Sequence, residues 1–154
     1  MSTNSNRPNI AEDFKLHHGS SIDPAKLTAI LNQLEQLNTV EVLQASTAYS
    51  AYVRFSSLIM YSKVQCVIDG GETFNGTSWG INAPIGTVSY GDVYVADGYT
   101  LQDLYSETTA YSFVSTSVYL ALYFFGPNHD LLGMFQGGMI STVTGNGGGS
   151  GSWS

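Results

Sequence analysis

The chain has 154 residues, a formal net charge of −7, 43% hydrophobic residues and only 11% charged ones, so solubility rests on Ser, Thr, Asn, Gln and Gly rather than on the usual roughly 25% of charges. All five cations (Arg7, Lys15, Lys26, Arg54, Lys63) lie in the first 63 residues, whereas Asp69, Glu72, Asp92, Asp97, Asp103, Glu107 and Asp130 follow with no Lys or Arg among them. That asymmetry excludes nucleic-acid binding, which needs clustered cations to displace counterions from phosphates, and it excludes simple polybasic attraction to anionic membranes.

Residues 1–20 are polar and aperiodic and read as a flexible tail. They contain no apolar core of a secretory signal, and no run in the chain reaches the 18 apolar residues of a membrane-spanning helix. An amphipathic helix is expected within 21–44. Ser21 or Asp23 caps it, Pro24 takes its first position, and Leu27, Ile30, Leu31, Leu34 and Leu37 form a stripe at helical spacing. A stripe of this kind docks on a core or pairs with a second copy. The β-branched Thr39, Val40 and Val42 end the helix near Asn38.

From residue 45 to 154 short β-branched and aromatic runs alternate with turn residues, as in a single β-domain. Strands are expected over 47–57, 59–68, 72–79, 86–96, 109–116, 117–125, 131–136 and 138–144. Asp69-Gly70-Gly71-Glu72 reads as a tight hairpin turn, and Gly126-Pro127-Asn128-His129-Asp130 as another. Thr100 and Asp103 have the spacing of a capping box, which predicts a short helical turn between strands. In 119–124 Tyr119, Ala121 and Tyr123 alternate with Leu120, Leu122 and Phe124, a pattern expected of a closed sheet with one solvated face. The Gly-rich ending carries Trp153, a ring that holds its place only if it docks, so the tail should fold back on the domain. Eight strands without long intervening helices point to a compact antiparallel β-barrel, Greek-key-like, with an interior filled by side chains.

Chemistry is sparse. Cys66, the single cysteine, lies in an apolar run and cannot form an intrachain disulfide; His129 is the only imidazole beyond residue 18, so any thiol–imidazole pair would need these two. Asp92, Asp97 and Asp103 miss calcium-loop spacing, and Asp92 with Asp103 or Glu107 carries no positive sign of a glycosidase pair. The closing glycines form neither a dinucleotide fingerprint nor a phosphate loop. No catalytic, metal or cofactor-binding residue is assigned, and no cofactor is expected. Asn75-Gly76-Thr77 is a glycosylation sequon, meaningful in a eukaryotic secretory route. The ten tyrosines exceed what one core of this size needs, so some should be exposed, where Tyr favours sugars, lipid headgroups or protein partners. Tyr94, Tyr99, Trp79 and Trp153 are the candidate contact residues.

Several segments of the β-region are familiar. Gly91-Asp92-Val93-Tyr94, Asp103-Leu104-Tyr105, Tyr123-Phe124-Phe125, Leu132-Gly133-Met134-Phe135-Gln136-Gly137-Gly138 and the closing Gly147-Gly148-Gly149-Ser150-Gly151-Ser152-Trp153 resemble the virulence-associated (Vap) proteins of Rhodococcus over about residues 45–154. The resemblance implies a packed eight-stranded barrel after a variable N-terminal region. It also implies a secreted, non-enzymatic effector acting on host phagosomal or lysosomal membranes or on a host protein. A cytoplasmic location stays open from the residues themselves. The alternative from the residues is a carbohydrate-binding or self-assembling module, with the Leu stripe setting a homo-oligomer.

Overall fold

The structure, a computed structural model, describes residues 15, 20, 23–25, 27–28, 31–32, 48–57, 61–79, 85–116, 118–138 and 145–154. They belong to two compact units, Met1–Thr47 and Ala48–Ser154. In the first, Pro24, Ala25, Leu27, Thr28, Leu31 and Asn32 have helical backbone. The Leu27 amide donates to the Asp23 carbonyl at 2.8 Å, and the Ala25 amide donates to Asp23 Oδ2 at 3.2 Å. The rest of the expected helix, with Ile30, Leu34 and Leu37, and nearly all of the 1–20 tail lie outside the described residues.

In the second unit eight described strands close into an antiparallel barrel. They are β1 (Ala48–Ser57), β2 (Tyr61–Ile68), β3 (Thr73–Trp79), β4 (Val88–Val95), β5 (Ala110–Ser115), β6 (Tyr119–Phe125), β7 (Leu131–Gly138) and β8 (Gly145–Trp153). One helix with defined bounds, α1 (Leu101–Glu107), joins β4 to β5, so it sits between strands. The order around the barrel is β1-β2-β3-β8-β5-β6-β7-β4. Strands β1–β4 make one Greek key (4-1-2-3) and β5–β8 a second (8-5-6-7), and the pairs β3–β8 and β4–β7 weld the two. Closure leaves no free sheet edge. Because all pairs are antiparallel, the β2–β3 turn, α1, the β6–β7 turn and the C-terminus share one barrel end. The ends of β1, β3, β5 and β7 and the starts of β2, β4, β6 and β8 share the other.

Alternation fills the interior. Val53, Phe55, Val64, Cys66, Phe74, Val93, Phe113, Leu122, Phe124 and Phe135 belong to one core cluster. Phe55 packs on Phe113 with centroids 5.0 Å apart, and Phe74 packs edge-on against Phe124 at 5.1 Å. At the end opposite α1 the interior turns polar, with the buried hydroxyls of Ser62 and Ser78 hydrogen-bonded at 2.8 Å.

Three expectations need correction. The expected run 131–136 extends further: β7 covers Leu131–Gly138, the expected run 138–144 lies beyond Gly138 outside the described residues, and the Gly-rich ending read as a tail is itself a barrel strand, β8. Glycine has low strand propensity, which hid β8, but here its lack of a side chain makes room for rings: a Cβ at Gly147 would lie 2.8 Å from Phe113 Cε1. The Tyr-bearing face of β6 is not solvated either, since Tyr119, Ala121, Tyr123 and Phe125 are all buried. Tyr and aliphatics alternated in the sequence, but a Tyr ring is mostly apolar, so that alternation does not mark a wet face. Lastly, Trp153 does not lie over the barrel from outside; it is the final residue of a barrel strand.

Candidate functional site

The capping box read from the sequence is formed. The Asp103 amide donates to Thr100 Oγ1 at 3.1 Å, and the Thr100 amide donates to Asp103 Oδ2 at 2.9 Å. This fixes the start of α1, which turns Leu104 fully inward and packs Leu101 and Tyr105 against the core. Trp153 joins them, 7% exposed, against Phe124 at 5.2 Å, Tyr105 at 5.3 Å and Phe74 at 5.6 Å. Trp153 was expected as a surface contact residue; its ring is interior because the core beneath α1 is where a ring of this size finds apolar neighbours.

The four candidate contact residues are not brought together. Tyr99 is half-buried in the loop before α1, with its amide donating to the Ala96 carbonyl at 3.1 Å. Tyr94 is half-buried on the outer face of β4, opposite Ala48 and Met134. Trp79 ends β3 at the opposite barrel end, paired with Tyr61, and its side chain lies outside the described residues. Of the Leu stripe, Leu27 and Leu31 are half-buried, and Ile30, Leu34 and Leu37 lie outside the described residues.

Nor does the barrel assemble the thiol–imidazole pair. Cys66 is fully buried on the inner face of β2, and burial pushes its thiol far above the ordinary range, so the nucleophilic thiolate is suppressed. His129 sits in the exposed β6–β7 turn with φ of 63°, its amide donating to the Gly126 carbonyl at 3.0 Å. Burial likewise raises the Tyr111 phenol, and the nearby Ser78 hydroxyl partly offsets this. Among the described residues no group of three or more His, Cys, Asp or Glu side chains is placed to hold a metal ion. No described helix is long and apolar enough to cross a membrane.

What the fold does assemble is an outer surface on β4, β1, β2 and β3. Tyr52 faces Tyr90 across the β1–β4 pair with centroids 6.0 Å apart, and Tyr90 is 72% exposed. Arg54 Nε donates to Gln65 Oε1 at 2.9 Å, and Gln65 Nε2 donates to Asn75 Oδ1 at 2.9 Å, forming a polar ladder across three strands. None of Tyr52, Arg54 or Tyr90 was singled out from the sequence. The signal was present in their even spacing along β1 and β4, but only the strand register puts them side by side.

Comparison with known proteins agrees with this architecture. The family model described as Rhodococcus equi virulence-associated protein matches residues 2–154, which extends the resemblance through the N-terminal unit. Two solved structures from the intracellular pathogen Rhodococcus equi are similar. The virulence-associated protein VapB is 29% identical, covering 71% of this chain and 97% of its own, with a TM-score of 0.59. The virulence-associated protein VapD is 26% identical, covering 71% of this chain and 98% of its own, with a TM-score of 0.62. Comparison with curated proteins finds no match.

Proposed function

Because the chain belongs to the Rhodococcus equi virulence-associated protein family, we propose that it is a secreted, non-enzymatic effector that acts at a host vacuolar membrane or on a host protein there. The family match over residues 2–154 carries this reading. The filled barrel interior supports it, because contact with any partner then falls to the outer surface. The membrane is the favoured partner, since exposed tyrosines suit the boundary between headgroups and acyl chains.

Acidity supplies a trigger. With a net charge of −7 and a pI of about 4.5, the protein is repelled by anionic lipid at neutral pH. As a vacuole acidifies, carboxylates take up protons and the repulsion weakens, an effect expected below about pH 5. Co-flotation with anionic and neutral liposomes between about pH 4 and about pH 7.5 tests this. Binding to anionic liposomes that appears only at the acidic end is the expected result. Equal binding across the range overturns the trigger, and no binding at any pH overturns the membrane reading.

A further inference from the structure

The barrel is polarised along its axis, and both charge and apolar exposure follow that axis. Arg54 and Lys63 are the only Lys or Arg residues in Ala48–Ser154. They project from the outer faces of adjacent strands, Arg54 opposite Val88 and Gln65, and Lys63 opposite Ser56 and Thr77. Among the described residues no carboxylate pairs with either. Of the seven carboxylates in this unit, Asp69, Glu72, Asp97, Asp103, Glu107 and Asp130 lie at the α1 end, in the β2–β3 turn, around α1 and in the β6–β7 turn; Asp92, on β4, is the exception.

Among the described residues the exposed large apolar side chains sort the opposite way. Tyr61 (37% exposed), Ile85 (40%), Val88 (40%), Tyr90 (72%) and Val118 (67%) lie at or near the end remote from α1. Tyr61 opens β2, Val88 opens β4 just after Ile85, Tyr90 is two residues further on, and Val118 precedes β6. They are spaced around the rim, because β2 lies across the barrel from β6 and β4 is two strands from each of them. The cations lie within the same band: Arg54 is level with its partner Val88, and Tyr90, opposite Tyr52, lies two residues further in. Lys63 is two residues from the start of β2 and Arg54 three from the end of β1, which at about 3.3 Å per residue is about 7–10 Å.

We infer that this end of the barrel, which carries Tyr61, Ile85, Val88, Tyr90 and Val118 with Arg54 and Lys63 among them, is the end that docks on an anionic phospholipid bilayer. The inference rests on the membrane reading above and adds which end meets the lipid. Apolar groups of interfacial proteins enter the headgroup boundary by about 5–10 Å, the distance that brings the two cations level with lipid phosphates. Two cations are too few for polybasic attraction. Each adds about fivefold at an anionic surface, about 25-fold together, and the apolar rim supplies the remainder. The acidic α1 end then points into solution, where anionic lipid repels it least.

The test uses the full chain at about pH 4.5, where the acidic trigger permits binding, and phosphatidylcholine vesicles with and without phosphatidylserine. R54Q/K63Q should bind phosphatidylserine vesicles about 25-fold more weakly and neutral vesicles unchanged. Y90S/V118S should lose binding to both. A polarity-sensitive fluorophore on V118C should shift blue when vesicles bind, whereas the same label on N128C, in the turn at the α1 end, should not; Cys66 is sealed in the core and does not compete for the label. A shift at position 128 without one at 118, or unchanged binding by both double variants, overturns the docking end while the membrane reading survives. Failure of the wild-type chain to bind any vesicle overturns both, and retention on a glycan array in that case assigns the exposed tyrosines to sugar instead.

Discussion

Trp153 Nε1 donates to Thr108 Oγ1 at 3.2 Å, and that hydroxyl donates in turn to the Leu104 carbonyl at 2.6 Å. One buried side chain thus joins the last barrel strand to the end of α1 and satisfies a carbonyl left free where the helix stops. Around it the chain end is held on both sides: the Ser154 amide donates to the Thr73 carbonyl and the Thr73 amide to the Ser154 carbonyl, each at 2.9 Å. The final residues therefore belong to the core structure of the barrel.

Removing the hydroxyl while keeping the shape tests that link. Thr108→Val leaves the indole N–H buried without its partner and should cost about 1–3 kcal/mol. Trp153→Ala also removes the ring from its aromatic neighbours and should cost about 3–5 kcal/mol. Urea unfolding midpoints measure both, and a Trp153→Ala midpoint equal to wild type would show that the ring does not support the core.

Gly147 tests the role of the glycines in β8. An added methyl at this position meets the Phe113 ring edge at 2.8 Å. Gly147→Ala should therefore destabilise by about 1–3 kcal/mol through overpacking, although alanine suits a strand no worse than glycine. Gly138 has open space around it and is the control, with an expected change within about 0.5 kcal/mol for Gly138→Ala.

Cys66 should be inert in the native protein and fast-reacting once unfolded. A thiol-specific chromogenic reagent should give no native-state signal and one equivalent in denaturant. The pH dependence follows from the sign of the shift. Burial raises the thiol, so the native state keeps a proton that the unfolded chain releases above the ordinary thiol value of about 8.5. The contribution is fully present below that value and is lost as pH rises, with a slope of up to about 1.4 kcal/mol per pH unit. Cys66→Ala should flatten this alkaline fall. The raised Tyr111 phenol adds a loss of the same sign at higher pH.

His129 holds the β6–β7 turn with φ of 63°, a region costly for residues with a Cβ and most costly for β-branched ones. His129→Gly should be neutral or stabilising by up to about 1 kcal/mol, while His129→Ile should lose about 1–2 kcal/mol. Thermal melts of the three proteins decide it; a more stable Ile variant would mean that the turn adopts another conformation in solution.

Much of this molecule was legible in the residues alone. Binary patterning and turn chemistry are local, so the β-class, the eight-strand count, the Asp69–Glu72 hairpin and the Thr100–Asp103 cap could be read directly. The segments of the β-region that resemble the Vap proteins were legible for the same reason. The expected strands nonetheless left out β8, since its place is defined by the Phe113 ring across from Gly147 rather than by its own propensity. Trp153 could be recognised as a docking ring, but whether it docked inside or outside depended on Thr108 and Phe124, which are distant in sequence. The candidate docking end is a product of register and closure. Arg54, Lys63, Tyr90 and Val118 come from four strand ends, and their placement together, opposite the carboxylates, exists only once antiparallel pairing has assigned every turn to one end of the barrel or the other.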